Sequence, residues 1–142
     1  MAREDFRFAE PLRVRWAEAD MQGIVFNGHY LLYFDVAVTE YWRTLAGGDL
    51  AQLQDVIHNI YVVRAICDYH APARFDDRLE VCVRTLQMGR SSMRLAFEIH
   101  RGSDKLVSGE NVYVHAPDGA SSPLPEPLRV LIRDYEKTAP IE

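Results

Sequence analysis

Cysteine is scarce in this 142-residue chain, and its positions indicate no disulfide or metal chemistry. The two cysteines, Cys67 and Cys82, lie in apolar segments typical of strands, and no Cys-x-x-Cys pair occurs. We therefore expect two reduced core thiols and no disulfide framework. The five histidines show no spacing typical of metal ligands, so the sequence predicts no metal site.

Long apolar runs and basic runs are missing as well. No apolar run approaches the ~20 residues that cross a bilayer, and the opening MAREDFRFAEPL lacks the apolar core of a secretory signal. The formal net charge is −5, without a run of Lys or Arg. This argues against nucleic-acid binding but leaves room for a small anionic ligand. We expect a cytoplasmic protein without a membrane span.

The composition is that of a globular protein, with 48% hydrophobic and 26% charged residues. A chain of 142 residues favours one domain with a real core. Because we find no internal repeat, linker or shift in composition, we expect residues 1–142 to form a single domain.

The most regular pattern is the segment HYLLYFDVAVTEYWRTLAGG, which predicts a helix that begins near His29 and stops at Gly47-Gly48. Its polar side chains form only a narrow stripe at helical spacing: Asp35, Thr39, Glu40, Arg43 and Thr44. The remaining circumference is largely apolar. Such a helix must be enclosed on several sides, either by a curved sheet or with the help of a second subunit.

Five segments predict β-strands. The first runs from Phe6 to Trp16, where Pro11 favours an edge position. The second, Asn59–Tyr69, is so apolar that we expect it to be largely buried. The other three alternate with the period of two that is typical of antiparallel sheets, over residues 78–86, 91–101 and 105–115.

The connections between the later strands are short. Met88–Arg90 and Gly102–Lys105 have the length of hairpin turns, and a short amphipathic helix is expected at about residues 126–137. The order of elements predicts an α+β protein in which one curved antiparallel sheet of about five strands wraps one long buried helix.

Three stretches resemble one family. The segment VRWAEADMQGIVFNGHYLLYFDVAVTEYWR resembles the 4-hydroxybenzoyl-CoA thioesterase and YbgC-like acyl-CoA thioesterases of the hot-dog superfamily. The matching positions are Trp16, Asp20, Gly23, Ile24-Val25, Asn27 and Tyr30. Asp68–Val81 and Gly89–Ile99 resemble the second and third shared stretches, in the expected order. Many relatives carry His in place of Asn27. The resemblance implies the hot-dog fold and an acyl-CoA thioesterase.

The resemblance also implies a catalytic site. Asp20 matches the carboxylate that acts as nucleophile or general base, and the amides of Asn27 and Gly28 match those that polarise the thioester carbonyl. Amides at this position can stabilise negative charge on the carbonyl oxygen, because the first turn of a helix has unpaired N–H groups and a partial positive charge. A carboxylate suffices because the thiolate is a good leaving group.

Further residues are implied as substrate contacts. Gly23 belongs to the motif, and Tyr30 is the best candidate for the acyl pocket because it lies nearest the amides. Hot-dog dimers build sites at their interface, so a homodimer or homotetramer is expected, with a neighbouring subunit closing the site. The residues expected to close the site or to hold coenzyme A are Val62, Val63, Arg64, Arg74, Arg90, Ser91 and Ser92.

Several alternatives stay open. An Asp before a helix is often only a turn or cap residue, and Asp35 and Glu40 are competing carboxylates. His29 could belong to a dehydratase-like site. The protein could bind acyl-CoA without catalysis, or hydrolyse acyl groups on acyl carrier protein. We expect no cofactor, because coenzyme A enters as part of the substrate.

Overall fold

Five β-strands form one antiparallel sheet in the computed structural model, which describes residues 1–142. They are β1 (Phe8–Arg13), β2 (Ile60–Tyr69), β3 (Arg78–Met88), β4 (Ser92–Arg101) and β5 (Asp104–His115). The spatial order is β1-β3-β4-β5-β2, so β1 and β2 are the edge strands. Pro11 lies in β1. Because β1 has no neighbouring strand on its outer edge, the missing N–H of proline is tolerated there.

The long helix α1 (His29–Leu45) packs across the inner face of the sheet. It buries one side made of Tyr30, Tyr33, Phe34, Ala37, Val38, Tyr41, Trp42 and Leu45. The Phe34 ring stacks on Phe97 of β4, with centroids 4.4 Å apart. A Cβ atom at Gly109 of β5 would lie 2.6 Å from the Phe34 ring. Glycine is therefore needed there for the helix to approach the sheet.

Two further helices complete the chain. They are α2 (Gln54–Ile57), which follows a short 3₁₀ turn, and α3 (Glu126–Tyr135). The predicted helix from His29, both hairpins and the terminal helix are confirmed. The architecture is the predicted hot-dog fold, with an antiparallel sheet around one long helix. No helix is both long enough and apolar enough to cross a lipid bilayer.

The prediction that Asn59–Tyr69 is largely buried is wrong for a single chain. Along β2, Val62 is 47% exposed, Val63 61% and Tyr69 52%. The reason is the strand order, because β2 pairs only with β5 and its other edge is open. An apolar run identifies a strand but does not tell which strand lies at the edge.

The first strand is shorter than predicted. It ends at Arg13, and the chain continues into a 3₁₀ turn, Trp16–Glu18. Trp16, the last residue of the predicted strand, instead begins this turn and is 77% exposed. This turn starts the segment that leads to Asp20.

Candidate functional site

Asp20 begins a tight turn just ahead of α1. Its N–H donates to the Ile24 carbonyl (2.8 Å), and its own carbonyl accepts from the Gly23 N–H (3.0 Å). Gly23 has a φ of +78°, a conformation that favours glycine. Oδ1 of Asp20 accepts from the Gln22 N–H (2.8 Å), whereas Oδ2 has no hydrogen-bond donor within the protein. One carboxylate oxygen therefore fixes the turn, and the other makes no hydrogen bond within the protein.

The turn opens on a cavity of about 310 Å³. Three segments meet around it: the Asp20 turn, the start of α1 and the end of β2 with the residues that follow. The lining residues are Asp20, Gln22, Ile24, Val25, Asn27, Tyr30, Tyr69, His70, Ala71 and Pro72. The cavity is thus mostly apolar, with one carboxylate at its wall.

The N-terminus of α1 offers free backbone donors beside this cavity. Gly28 is the N-cap residue and has no side chain to cap the helix. The His29 N–H donates to the Phe26 carbonyl (2.9 Å), but the N–H groups of Asn27 and Gly28 have no acceptor in the protein. Unpaired amides at a helix start can bind an oxygen that gains negative charge.

Two tyrosines support this wall of the cavity. The Tyr30 hydroxyl accepts from the Ala73 N–H (3.0 Å), and the Tyr69 hydroxyl donates to the Asn27 carbonyl (3.1 Å). Their rings lie 5.5 Å apart. Removal from water, together with the nearby Cys67 thiol, raises the pKa of Tyr69 to about 12. Its hydroxyl therefore keeps its proton at neutral pH.

A buried carboxylate, Glu18, anchors the segment that carries Asp20. Its Oε1 accepts from the Arg15 N–H (2.7 Å) and from the Tyr33 hydroxyl (3.0 Å), and its Oε2 accepts from the Arg15 guanidinium. The Glu18 carbonyl accepts from the Phe26 N–H (3.0 Å). Burial acts to raise the pKa of Glu18, but the Arg15 and Tyr33 hydrogen bonds outweigh it and lower that pKa.

The structure brings together one group of the predicted site residues. Asp20, Asn27 and Tyr30 line the cavity, and Gly23 and Gly28 are in the adjoining turn and helix cap. The backbone of Arg74 pairs with Ile24 in an isolated bridge, so Arg74 lies next to the cavity with an exposed side chain.

The structure does not bring the other predicted residues to this cavity within one chain. Through strand register, Ser92 aligns with the Tyr61 end of β2 and Ile99 with the Tyr69 end. Ser92 and Ile99 are seven positions apart along β4, a distance of about 23 Å. The Arg90–Ser92 hairpin is therefore remote from Asp20, and Val62–Arg64 lies towards the same remote end.

The competing acid and base residues do not line the cavity. Asp35 is on the exposed side of α1, where partial burial raises its pKa, and Glu40 forms an ion pair with Arg43 (2.9 Å). The His29 ring contacts Phe26. No group of three or more His, Cys, Asp or Glu side chains is arranged to hold a metal ion.

Sequence reasoning missed three residues around the site. Tyr69 and His70 line the cavity, and His70 Nε2 lies 2.8 Å from Ser108 Oγ. Both belong to the second family-like stretch, Asp68–Val81, which was the available signal. Glu18 lies two residues before Asp20 and gave no signal of its burial, since a Glu at this position is usually exposed.

The family model described as the thioesterase superfamily matches residues 22–108. This stretch covers α1 and most of the sheet but begins two residues after Asp20. The match therefore shows the family but says nothing about the role of Asp20.

Three similar proteins illustrate the likeness. The acyl-CoA thioester hydrolase YbgC of Escherichia coli is 29% identical over 112 residues, covering 78% of this chain and 82% of that one. The acyl-CoA thioesterase YbgC of Haemophilus influenzae is 35% identical over 77 residues, covering 54% and 57%. The structure of a Thermus thermophilus thioesterase complexed with coenzyme A and Zn superposes with a TM-score of 0.85 at 30% identity, covering 95% and 98%.

Proposed function

The chain belongs to the thioesterase superfamily and is a thioester hydrolase, and we propose that it hydrolyses acyl-CoA to a carboxylic acid and coenzyme A at the Asp20 cavity. One observation carries the proposal. Asp20, with a carboxylate oxygen that has no donor, and Asn27 line the same cavity, and the N–H groups of Asn27 and of its neighbour Gly28 have no acceptor. These are the two kinds of group that thioester hydrolysis needs.

The proposed reaction assigns one role to each group. The thioester carbonyl oxygen accepts hydrogen bonds from the Asn27 and Gly28 amides, which stabilise its developing negative charge. Asp20 either attacks the carbonyl carbon, forming a mixed anhydride that water then hydrolyses, or removes a proton from the attacking water. In both routes the carbon–sulfur bond breaks and coenzyme A leaves as its thiolate.

We also propose that two copies of the chain pair through β2. This edge strand has ten residues, contains neither Lys nor Pro, and exposes apolar side chains. Natural proteins seldom leave such an edge open, because it can pair with another chain. Antiparallel pairing about a two-fold axis sets the start of one β2 beside the end of the other.

This pairing supports the predicted shared site. The partner's Val62–Arg64 would approach the Tyr69 end of β2, next to the cavity. The partner's Arg90–Ser92 hairpin would lie at the same end, three strand spacings away, or about 14 Å. That distance is within reach of an extended coenzyme A arm, so the residues that are remote within one chain would meet across the dimer.

The proposal is tested by following free thiol release from short, long, branched and aromatic acyl-CoAs. We compare the wild type with Asp20→Asn and with Asp49→Asn as a matched control. Asp49 Oδ1 accepts from the amide two residues later, as Asp20 Oδ1 does, but caps a turn far from the cavity. We expect a loss of at least ~100-fold for Asp20→Asn and none for Asp49→Asn.

Two outcomes would contradict the proposal. Equal activity of Asp20→Asn and the wild type would show that Asp20 takes no part in the reaction. A wild type that binds acyl-CoA without releasing thiol would be a binding protein. Presenting the same acyl group on acyl carrier protein tests whether coenzyme A is the preferred carrier.

A further inference from the structure

The peptide unit between Asn27 and Gly28 is held from one side only. Its N–H, that of Gly28, has no acceptor in the protein. Its carbonyl, that of Asn27, accepts a hydrogen bond from the Tyr69 hydroxyl at 3.1 Å. Because a peptide unit is planar and trans, fixing the direction of the carbonyl also fixes the direction of the N–H.

A hydrogen bond to the carbonyl also changes the strength of the N–H as a donor. Donation to the oxygen of an amide polarises the whole unit, so hydrogen bonds in a chain strengthen one another. Tyr69, the Asn27–Gly28 peptide and an oxygen bound at the Gly28 N–H would form such a chain. The free N–H would therefore be a stronger donor with Tyr69 than without it.

Tyr69 is itself held in place. It is the last residue of β2, and its backbone pairs with Val107 of β5. The next two N–H groups, of His70 and Ala71, both donate to the Leu106 carbonyl at 2.8 and 3.1 Å. The Tyr69 ring packs 5.5 Å from the ring of Tyr30, which is 2% exposed. The hydroxyl is thus presented by a fixed strand end.

We propose that Tyr69 is a positioning residue for the oxyanion site, in which its hydroxyl orients the Asn27–Gly28 peptide and strengthens the Gly28 N–H that binds the thioester oxygen. This inference rests on the proposed function, because it assigns a role within the same cavity. Tyr69 is the last residue of β2 and lies 42 positions along the chain from Asn27, whose carbonyl it binds.

The variant that tests the inference is Tyr69→Phe, which keeps the ring and removes the hydroxyl. Its control is Tyr135→Phe at the end of α3. The Tyr135 hydroxyl makes no hydrogen bond within the protein, and its ring lies 5.9 Å from that of Tyr41, away from the cavity and from β2. Thermal unfolding of both variants, followed by circular dichroism, verifies that each remains folded.

We expect kcat of Tyr69→Phe to fall about tenfold, with KM within about twofold of the wild type. Tyr135→Phe should match the wild type in both constants. A fall in kcat without a change in KM indicates a transition-state effect. An unchanged kcat, or a change confined to KM, would overturn the inference, since a residue that only contacts the substrate would affect binding.

A second measurement does not depend on turnover. A non-hydrolysable analogue, in which a ¹³C-labelled ketone replaces the thioester, is bound to each protein and its carbonyl stretch is recorded by difference Raman spectroscopy. A hydrogen bond to the oxygen lowers this frequency. The lowering should be smaller in Tyr69→Phe than in the wild type and unchanged in Tyr135→Phe. Equal frequencies in all three proteins would overturn the inference.

The two proposals fail in different ways. If the wild type releases no thiol, the proposed function fails, and the role of Tyr69 fails with it. If the wild type is active and Asp20→Asn is not, but Tyr69→Phe equals the wild type, only the role of Tyr69 is overturned.

Discussion

The Tyr33 hydroxyl donates a 3.0 Å hydrogen bond to Glu18 Oε1, which ties α1 to the segment that carries Asp20. Both side chains are buried, Tyr33 at 1% and Glu18 at 5% exposure. The Glu18 carboxylate also accepts from the Arg15 N–H, and the Glu18 carbonyl accepts from the Phe26 N–H. Arg15 and Phe26 lie on opposite sides of the Asp20 turn, so the Tyr33–Glu18 hydrogen bond joins both sides of that turn to α1. It therefore fixes the distance between the carboxylate and the helix amides.

Tyr33→Phe should lower both stability and activity. Loss of a buried hydrogen bond to a charged group costs about 1.5–3 kcal/mol in the free energy of unfolding. Loosening the Asp20 turn relative to α1 should lower kcat about tenfold or more. The measurements are urea denaturation and steady-state thiol release.

The same helix offers a control for that prediction. Tyr41 also donates a hydrogen bond to a buried carboxylate, that of Glu136. This pair lies on the other side of the core from the cavity residues. Tyr41→Phe should lose comparable stability and keep the wild-type kcat. If both variants lose activity equally, general loosening of α1 explains the effect and not the Glu18 contact.

Glu136 should make stability depend on pH. Burial raises its pKa above the usual value, although Tyr41 and the Thr85 N–H donate to its carboxylate. The folded state thus favours the protonated form. The stabilising contribution of this group is fully present below its unfolded pKa and is lost as pH rises through its folded pKa.

The Glu136→Gln variant isolates this contribution. Gln mimics the protonated acid and does not titrate. From about pH 3.5, below the usual glutamate pKa, to pH 8 the wild type should lose stability relative to the variant, by about 1.4 kcal/mol for each unit by which the pKa is raised. Urea denaturation at several pH values measures the difference, and a difference that is constant over this range would contradict the prediction.

Gly109→Ala should destabilise the protein by forcing α1 from the sheet. The added Cβ would lie 2.6 Å from both the Ile66 carbonyl oxygen and the Phe34 ring. Overpacking of this kind costs about 1–3 kcal/mol. In a Phe34→Leu background the added cost should be smaller, because the ring contact is relieved while the backbone contact remains. Thermal denaturation of the four proteins measures the coupling, and strict additivity would show that the ring is not involved.

Val63→Lys should break the proposed dimer and its activity together. Val63 is 61% exposed in the single chain and would be covered by the pairing of β2 with its copy, where a buried ammonium is costly. Light scattering after size exclusion should report a monomer, with thiol release greatly reduced. Val130→Lys, at an exposed valine of α3, should leave mass and activity unchanged. A wild type that is already monomeric would reject the pairing.

Much of the fold could be predicted because its signals are local. The helix from His29 and the alternating strands β3, β4 and β5 follow from side-chain periodicity within each segment. The exposure of β2 could not be predicted in this way. An apolar strand looks the same in sequence whether its neighbours or a second copy cover it.

Local sequence patterns are enough to predict most elements and the closeness of Asp20 to the start of α1, since only seven residues lie between Asp20 and Gly28. Which distant residues join them depends on how the strands and the helix pack. Tyr69 reaches the Asn27 carbonyl because β2 pairs with β5 at one particular register, and the buried Glu18 accepts a hydrogen bond from Tyr33 of α1. Strand order and register arise from contacts between residues far apart in the chain, which no local pattern encodes.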